Sequence, residues 1–470
     1  MTRLFALHSA YGLATAVAAI DEGLLDDDRA DRGDLLLVPF VSARVPEIVT
    51  GIAADPALET LRARFGRVED LDALLGPLHP SGWDPAPADL PMLERLLTRA
   101  WSLDPDDLEL FVQSPQVAPA RTLMALFPRA RITIIGDGLM TYAPMRVALG
   151  HATATRVVRV VHADVVPGVV PLVGAPAASS VAVPAEALGR ALAETDPTGA
   201  GAGVPRVGEG PVPVVAVDGR RLDDGASTVI VLGQYLSALG LVSEREEIAL
   251  QRRLVDRAAK WAPERIVFRP HPAAPPLQTD AVRERALSHG VEFAVHRGAP
   301  GAENLAERLG ARAVVAAFST ALPTVRALHG TEIGSAGAKL LLQRLVPYEN
   351  SNRIPLVIVD ALTRADSPYA DPARLQHLID AVGYAMQPEI AGHLRGRAVD
   401  LLRTLPQAER DRYFDPARLR DLRLPGAMRE AAWRRAFRSA GGTGRLEELR
   451  LTAMGARRRA GRAWRVIRGR

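Results

Sequence analysis

Apolar residues along this chain fall into two alternating textures. In the first half, Leu4 to Leu7 reads as a short strand and Thr15 to Leu25 as a helix. Residues 34 to 41, DLLLVPFV, form an unbroken apolar run, which predicts a buried strand. Helical spacing surrounds Leu93 to Leu103; LELFVQ (108 to 113) is strand-like, 119 to 128 helical, and ARITII (130 to 135) strand-like again. Strand, helix, strand in steps of this length predicts parallel pairing with helices packed on the faces. Continuous apolar strands fit a sheet covered on both sides.

Between residues 196 and 226 the texture changes to glycine and proline without helical period, as expected of a connection between domains. A short strand over Val212 to Val217 is compatible with it. A second alternation follows. STVIVLGQ (227 to 234) is a strand, and Glu244 to Ala262 is an amphipathic helix with Ile248, Leu250, Leu254, Ala258 and Trp261 among its apolar positions. RIVFRPHP (265 to 272) and RAVVAAFST (312 to 320) are strands, 304 to 310 and 321 to 330 helices, and IPLVIVD (354 to 360) a strand. The predicted organisation is an N-terminal domain over 1–195, the connection 196–226, a second domain over 227–370 and a mainly helical region over 371–470. The fold class is α/β. Its two Rossmann-like halves facing a cleft resemble the architecture called GT-B, found in nucleotide-sugar glycosyltransferases.

In open parallel sheets, ligands bind beyond the carboxyl ends of the strands. Four segments sit there. The first is Gly136-Asp137-Gly138, after Ile132 to Ile135. Asp-Gly is a common turn pair, and a hairpin turn would be followed by a second alternating strand. The following LMTYAPMRVALG does not alternate. A carboxylate there could take a proton from a hydroxyl, and the glycines would let a sugar approach the backbone. Turn and base both stay open on this motif. The second segment is Arg269-Pro270-His271-Pro272, where two prolines restrict the backbone around the histidine. The alternatives are a loop histidine and one that binds or protonates a leaving phosphate. The third is Phe318-Ser319-Thr320 before a helix. Its hydroxyls would cap that helix, and the same arrangement would suit an anion. The fourth is Leu232-Gly233-Gln234, a polar side chain at the first strand of the second half.

Taken in this order, the segments resemble bacterial GT-B sialyltransferases, and most of all the alpha-2,8-polysialyltransferase family. That family pairs an acidic-acidic-Gly motif with a His-Pro motif and a later Ser-Ser or Ser-Thr pair. Here Gly136-Asp137-Gly138, His271-Pro272 and Ser319-Thr320 match, with supporting likeness in DGLMTY and AAFSTALPTVRALHG. The resemblance covers roughly residues 1 to 360. It implies Asp137 as general base toward an acceptor hydroxyl and His271 as the group that contacts the departing phosphate of a CMP-sugar. It further implies Ser319 and Thr320 as phosphate binders and Gln234 in the nucleotide pocket. Gly136, Gly138, Arg269 and Pro272 complete the substrate-binding set. The implied donor is a nucleotide sugar and the implied acceptor a glycan or lipid-linked glycan, with inversion and no metal or cofactor. Two positions depart from the pattern: Gly136 stands where the first acid belongs, and Arg269 replaces a lysine before His-Pro.

Bulk properties narrow the field further. With 48% apolar and 24% charged residues the composition is that of a soluble globular chain. The absence of cysteine excludes disulfides, thiolate zinc sites and cysteine nucleophiles. The first residues lack signal-peptide order, which predicts a cytoplasmic protein. Net charge is only +4, but ARRRAGRAWRVIRGR (456 to 470) is strongly basic. Ala460, Ala463, Trp464 and Ile467 share one helical face there, flanked by arginines. Such a segment could rest on an anionic membrane at its inner face, or dock on the protein's own acids, or do neither. Few aromatics and no recognised module argue against nucleic acid. The rival readings are a GT-B transferase using another nucleotide sugar, a non-catalytic binder of nucleotide sugar or glycan, and, last, a metal-dependent phosphohydrolase.

Overall fold

A computed structural model describes residues 1–25, 34–42, 51–174, 177–196, 214–238, 240–271, 274–298 and 301–427. Pro272, most of the glycine-rich connection and the basic tail at 456–470 lie outside the described residues. The first sheet comprises β1 (Thr2–Leu7), β2 (Asp34–Pro39), β3 (Arg67–Val68), β4 (Leu108–Val112), β5 (Arg131–Ile135), β6 (Val157–Ala163) and β7 (Ser179–Val183). Its order is β3-β2-β1-β4-β5-β6-β7, and every pair is parallel. The second comprises β8 (Thr228–Leu232), β9 (Arg265–Arg269), β10 (Glu292–Val295), β11 (Ala313–Ala316) and β12 (Glu332–Ser335). Its order is β10-β9-β8-β11-β12, again all parallel. These are the two Rossmann-like halves expected from the sequence. Both belong to one compact unit, Met1–Phe414. In each sheet the strand order reverses beside the first strand, at β1/β4 and β8/β11. A crevice opens there at the strand tips.

Helix starts follow from local chemistry. Ser9 caps the helix Ala10–Asp21 by accepting from Gly12 N–H, so that helix begins earlier than the apolar pattern suggested. Ser243 and Glu246 form a reciprocal capping box at the head of Glu244–Ala258. Gly330 closes Ala321–His329 in the left-handed conformation. Residues 354 to 360 are a correction: they belong to the helix Arg353–Thr363, not to a strand. Its residues from Arg353 to Ala361 are all buried, so apolar side chains occupy every face and no helical period shows. Pro355 is tolerated because it sits in the first turn, where its missing N–H is not needed. Strands β3, β6, β7, β10 and β12 are not among the predicted elements.

A polar cluster lies within the first sheet. Glu109 on β4 accepts from Thr133 Oγ1 on β5 at 2.9 Å and from Arg159 on β6 at 2.8 Å. Arg159 Nε donates to Thr133 Oγ1 at 3.0 Å, so three adjacent strands share one charge pair. Removing the cation from such a buried pair strands a carboxylate, a loss of about 3–5 kcal/mol. The strand so braced is β5, which carries the Gly-Asp-Gly turn at its tip.

Candidate active site

The tip of β5 is shaped by what its neighbours leave no room for. Gly136 N donates to Val161 O at 2.8 Å, which extends the ladder by one residue. A Cβ on Gly136 would lie 2.6 Å from Thr141 Oγ1 and 3.2 Å from His162 Cβ. That is the physical reason an acid does not fit here: Thr141 fills the space. After Asp137 the chain turns through Gly138 at φ +52° into a 3-10 turn, Gly138–Tyr142, and not into a hairpin.

Asp137 is half-buried. Ser9 Oγ, from the end of β1, lies 3.4 Å from its Oδ1. That hydroxyl already accepts from Gln113 Nε2 at 2.7 Å and from Gly12 N at 3.0 Å. Its two acceptor positions are filled, so its proton points at Asp137. His8 stands beside it, with Nε2 3.0 Å from Ser114 Oγ and Nδ1 3.2 Å from Ser42 Oγ. Burial pushes the His8 imidazole below its ordinary value, while the Asp137 carboxylate pulls it upward. A cavity of about 240 Å³ opens at Asp137, walled by Ser114, Gln116, Met140, Arg146 and Ser351 among others.

In the second sheet, Gly233 allows the tips of β8 and β9 to touch. A Cβ there would lie 2.8 Å from the Phe268 ring and 3.1 Å from Pro270 Cα. Gln234 then spends its amide on the tip of β11: Nε2 donates to Phe318 O, and Phe318 N donates to Oε1 at 3.1 Å. In this state it clamps two strand tips together. Tyr235 faces His271, ring centroids 6.5 Å apart. The buried Glu247 holds the same loop through Leu236 N at 2.6 Å and Ser237 N at 2.9 Å. Burial lowers the His271 pKa and the Glu247 charge partly restores it. Arg269 reaches His296 Nδ1 at 3.2 Å. A guanidinium only donates, so Nδ1 is the acceptor and the proton of His296 is on Nε2. Burial raises the Glu303 carboxyl, opposed by the charge of Arg269, and Glu303 in turn acts on Tyr11.

The two halves meet at Thr320. Its Oγ1 accepts from Leu139 N at 3.3 Å, across 181 residues of sequence. A Cβ on Gly138 would fall 2.4 Å from Thr320 Cγ2, so glycine is required for both the backbone angle and the contact. Capping is left to Ser319, whose Oγ accepts from Ala321 N at 3.2 Å. Tyr11 Oη adds a second crossing, 3.4 Å from Thr324 Oγ1. Neighbours along the site thus run Gly138 against Thr320, Phe318 against Gln234, and Tyr235, next in the chain to Gln234, against His271. His271 and Asp137 are linked through these intermediates.

A family model described as Alpha-2,8-polysialyltransferase matches residues 3–333, which spans both sheets. The chain belongs to the alpha-2,8-polysialyltransferase family. It is a glycosyltransferase. No curated protein matches this polysialyltransferase-family chain in sequence. Solved structures similar to it include a Thermobaculum terrenum O-GlcNAc transferase mutant, 13% identical, covering 90% of this chain and 66% of that one, TM-score 0.35. The chain therefore spans just under two thirds of that protein. Acinetobacter baumannii MurG is 12% identical over 84% of this chain and 97% of its own, TM-score 0.37. A putative UDP-N-acetylglucosamine 2-epimerase from Listeria monocytogenes is 10% identical over 82% and 97%, TM-score 0.36.

Sequence reasoning missed His8, Ser9, Gln113, Glu247 and Glu303. The strand-tip filter that found Gly136-Asp137-Gly138 would have found three of them. His8-Ser9 follows β1 and Gln113 follows β4, and both strands share the sheet with β5. Glu247 and Glu303 lie on helices and gave no such signal. The crossing contact yields one expectation for this glycosyltransferase. Gly138→Ala forces a methyl into Thr320 at an unfavourable φ, so sugar transfer should fall by about tenfold or more, for a strain of about 1–2 kcal/mol. The double variant with Thr320→Ser, which loses the clashing methyl and keeps the hydroxyl, should recover part of the rate in the same assay. Unchanged turnover in Gly138→Ala would show that the contact is not needed.

Proposed function

We propose that the enzyme transfers sialic acid, or a related keto-sugar, from a CMP donor to a glycan acceptor with inversion. The observation that carries this reading is the crossing at Thr320. It puts the carboxylate turn of one sheet against the hydroxyl-bearing loop of the other, beside a cavity open at Asp137. An acceptor hydroxyl in that cavity loses its proton to Asp137 as its oxygen attacks the anomeric carbon. The bond to the donor phosphate breaks, and its electron pair stays on the phosphate oxygen. Ser319, Thr320 and His271 hydrogen-bond that phosphate, and His271 gives it a proton. In this reading charge develops between a base and a set of hydrogen-bond donors, the condition for electrostatic stabilisation. The proposed step needs no metal. Arg146, on the cavity wall, suits an acidic sugar. Gly136 need not argue for a catalytically dead relative, because packing against Thr141 accounts for it.

Asp137→Asn should keep CMP affinity in calorimetry while transfer drops by about 10²–10⁴-fold, the usual worth of a positioned base. Equal rates for Asp137→Asn and the unaltered enzyme on an authentic acceptor would remove the mechanism. Tighter binding of UDP or GDP than of CMP would instead favour a transferase with another donor.

The low pKa of His271 keeps it neutral near pH 7 in the ligand-free protein. A bound phosphate adds negative charge and favours the imidazolium. The His271 ring should therefore titrate higher with CMP bound, as followed by NMR. Transfer should fall as pH rises through that higher value. A titration unmoved by CMP would take His271 away from the phosphate.

The acceptor is proposed to be lipid-linked and met at an anionic membrane by segment 456–470. Among the described residues no helix is long and apolar enough to cross a membrane. The full chain should pellet with anionic vesicles more than a chain ending at residue 455, and equal pelleting would retire the idea.

A further inference from the structure

A pocket of about 560 Å³ lies beside the edge strand β12. Its walls come from the helix Glu244–Ala258, the end of β12 and the loop after it, the helix Ala338–Arg344, the end of the helix Arg353–Thr363, and Arg412. No residue of the Asp137 turn, the His271 loop or the Ser319–Thr320 loop lines it. Five cations do: Arg253, Arg257, Lys339, Arg364 and Arg412.

The balance of charge identifies what the pocket lacks. Asp360 is the one carboxylate on its wall, and it is already engaged. It accepts from Arg412 at 3.0 and 3.2 Å and from Tyr413 Oη at 2.7 Å. Arg364 is paired with Glu409 at 2.8 Å and Asp366 at 3.1 Å. Arg257 donates to the Thr363 carbonyl at 3.1 Å and lies over the Trp261 ring, 5.2 Å from its centroid, and among the described residues it has no carboxylate partner. Arg253 and Lys339 make no ion pair among the described residues, and both are exposed. Three positive charges, those of Arg253, Arg257 and Lys339, therefore line one pocket without matching carboxylates among the described residues. Surface cations left so close together repel each other unless an anion sits between them. A forked guanidinium with a point-like ammonium suits a tetrahedral oxyanion, and a net charge near three favours a divalent ligand over a single carboxylate.

We propose that this pocket is a second oxyanion site, outside the transfer cleft, that takes a phosphate or phosphomonoester group. It goes beyond the transferase reading and does not depend on it.

The test is ³¹P NMR of inorganic phosphate titrated with the full chain at constant ionic strength. The phosphate line should broaden with the unaltered protein and should still broaden with His271→Ala, which removes only what the cleft contributes. In Arg253→Ser with Lys339→Ser the apparent affinity should fall about tenfold or more, while the thermal unfolding midpoint in chloride stays unchanged. A phosphomonoester, glycerol 3-phosphate, should compete for the same site, and competition by inorganic phosphate only would mark the ligand as the free ion. Broadening that persists in the double variant, or that vanishes in His271→Ala, would overturn the proposal. So would displacement of phosphate by an equal concentration of N-acetylneuraminate, since the site would then be one for glycan carboxylates.

Discussion

Thr320 resting on Gly138 sets the distance between the two halves of this enzyme. A hydroxyl from the tip region of β11 occupies the place where any other residue after Asp137 would put its Cβ. The backbone N–H of Leu139 answers with a hydrogen bond. Everything else at the site is arranged around that approach. The carboxylate turn can carry no bulk at either flanking position, because Thr141 excludes it at 136 and Thr320 at 138. A single acid between two glycines is then the only way to present a side chain at that tip.

The two halves contribute differently. On the second sheet, polar side chains are consumed in holding loops. Gln234 ties β8 to β11, Glu247 holds the loop that carries Tyr235, and Arg269 is committed to His296. Such a preset frame spares the reorganisation that a leaving group would otherwise demand. On the first sheet, the relay Gln113–Ser9–Asp137 orients one hydroxyl toward the carboxylate and leaves the other side of Asp137 facing a cavity.

Much of this was legible in the chain. Alternating apolar runs gave both parallel sheets, because strand length and crossover length together admit few topologies. Strand ends located Asp137, His271, Ser319 and Thr320. What was not legible has physical causes. Residues 354 to 360 hid a helix inside an unbroken apolar run, since burial on every face erases the period. β10 and β12 have only four residues each, too few to show alternation. Thr320 read as a cap, and a cap is what its type predicts. The hydroxyl's other use, across the cleft, depends on a contact between positions far apart in sequence. The same holds for Gly136, whose missing side chain is explained by Thr141 five positions later and by His162 on another strand.

Open sheets have edge strands, and among the described residues these are β3, β7, β10 and β12; the β10 edge is partly covered, since Val217 N donates to Val295 O at 2.8 Å. The four contain two, five, four and four residues, whereas β1 and β2 have six each and β6 has seven. Three of the four open on a charged residue: Arg67, Glu292 or Glu332. A second copy seeking to add a strand would find too short a ladder and a charge at its start. The brevity that hid β3, β10 and β12 from pattern reading also leaves a would-be partner strand little backbone to pair with.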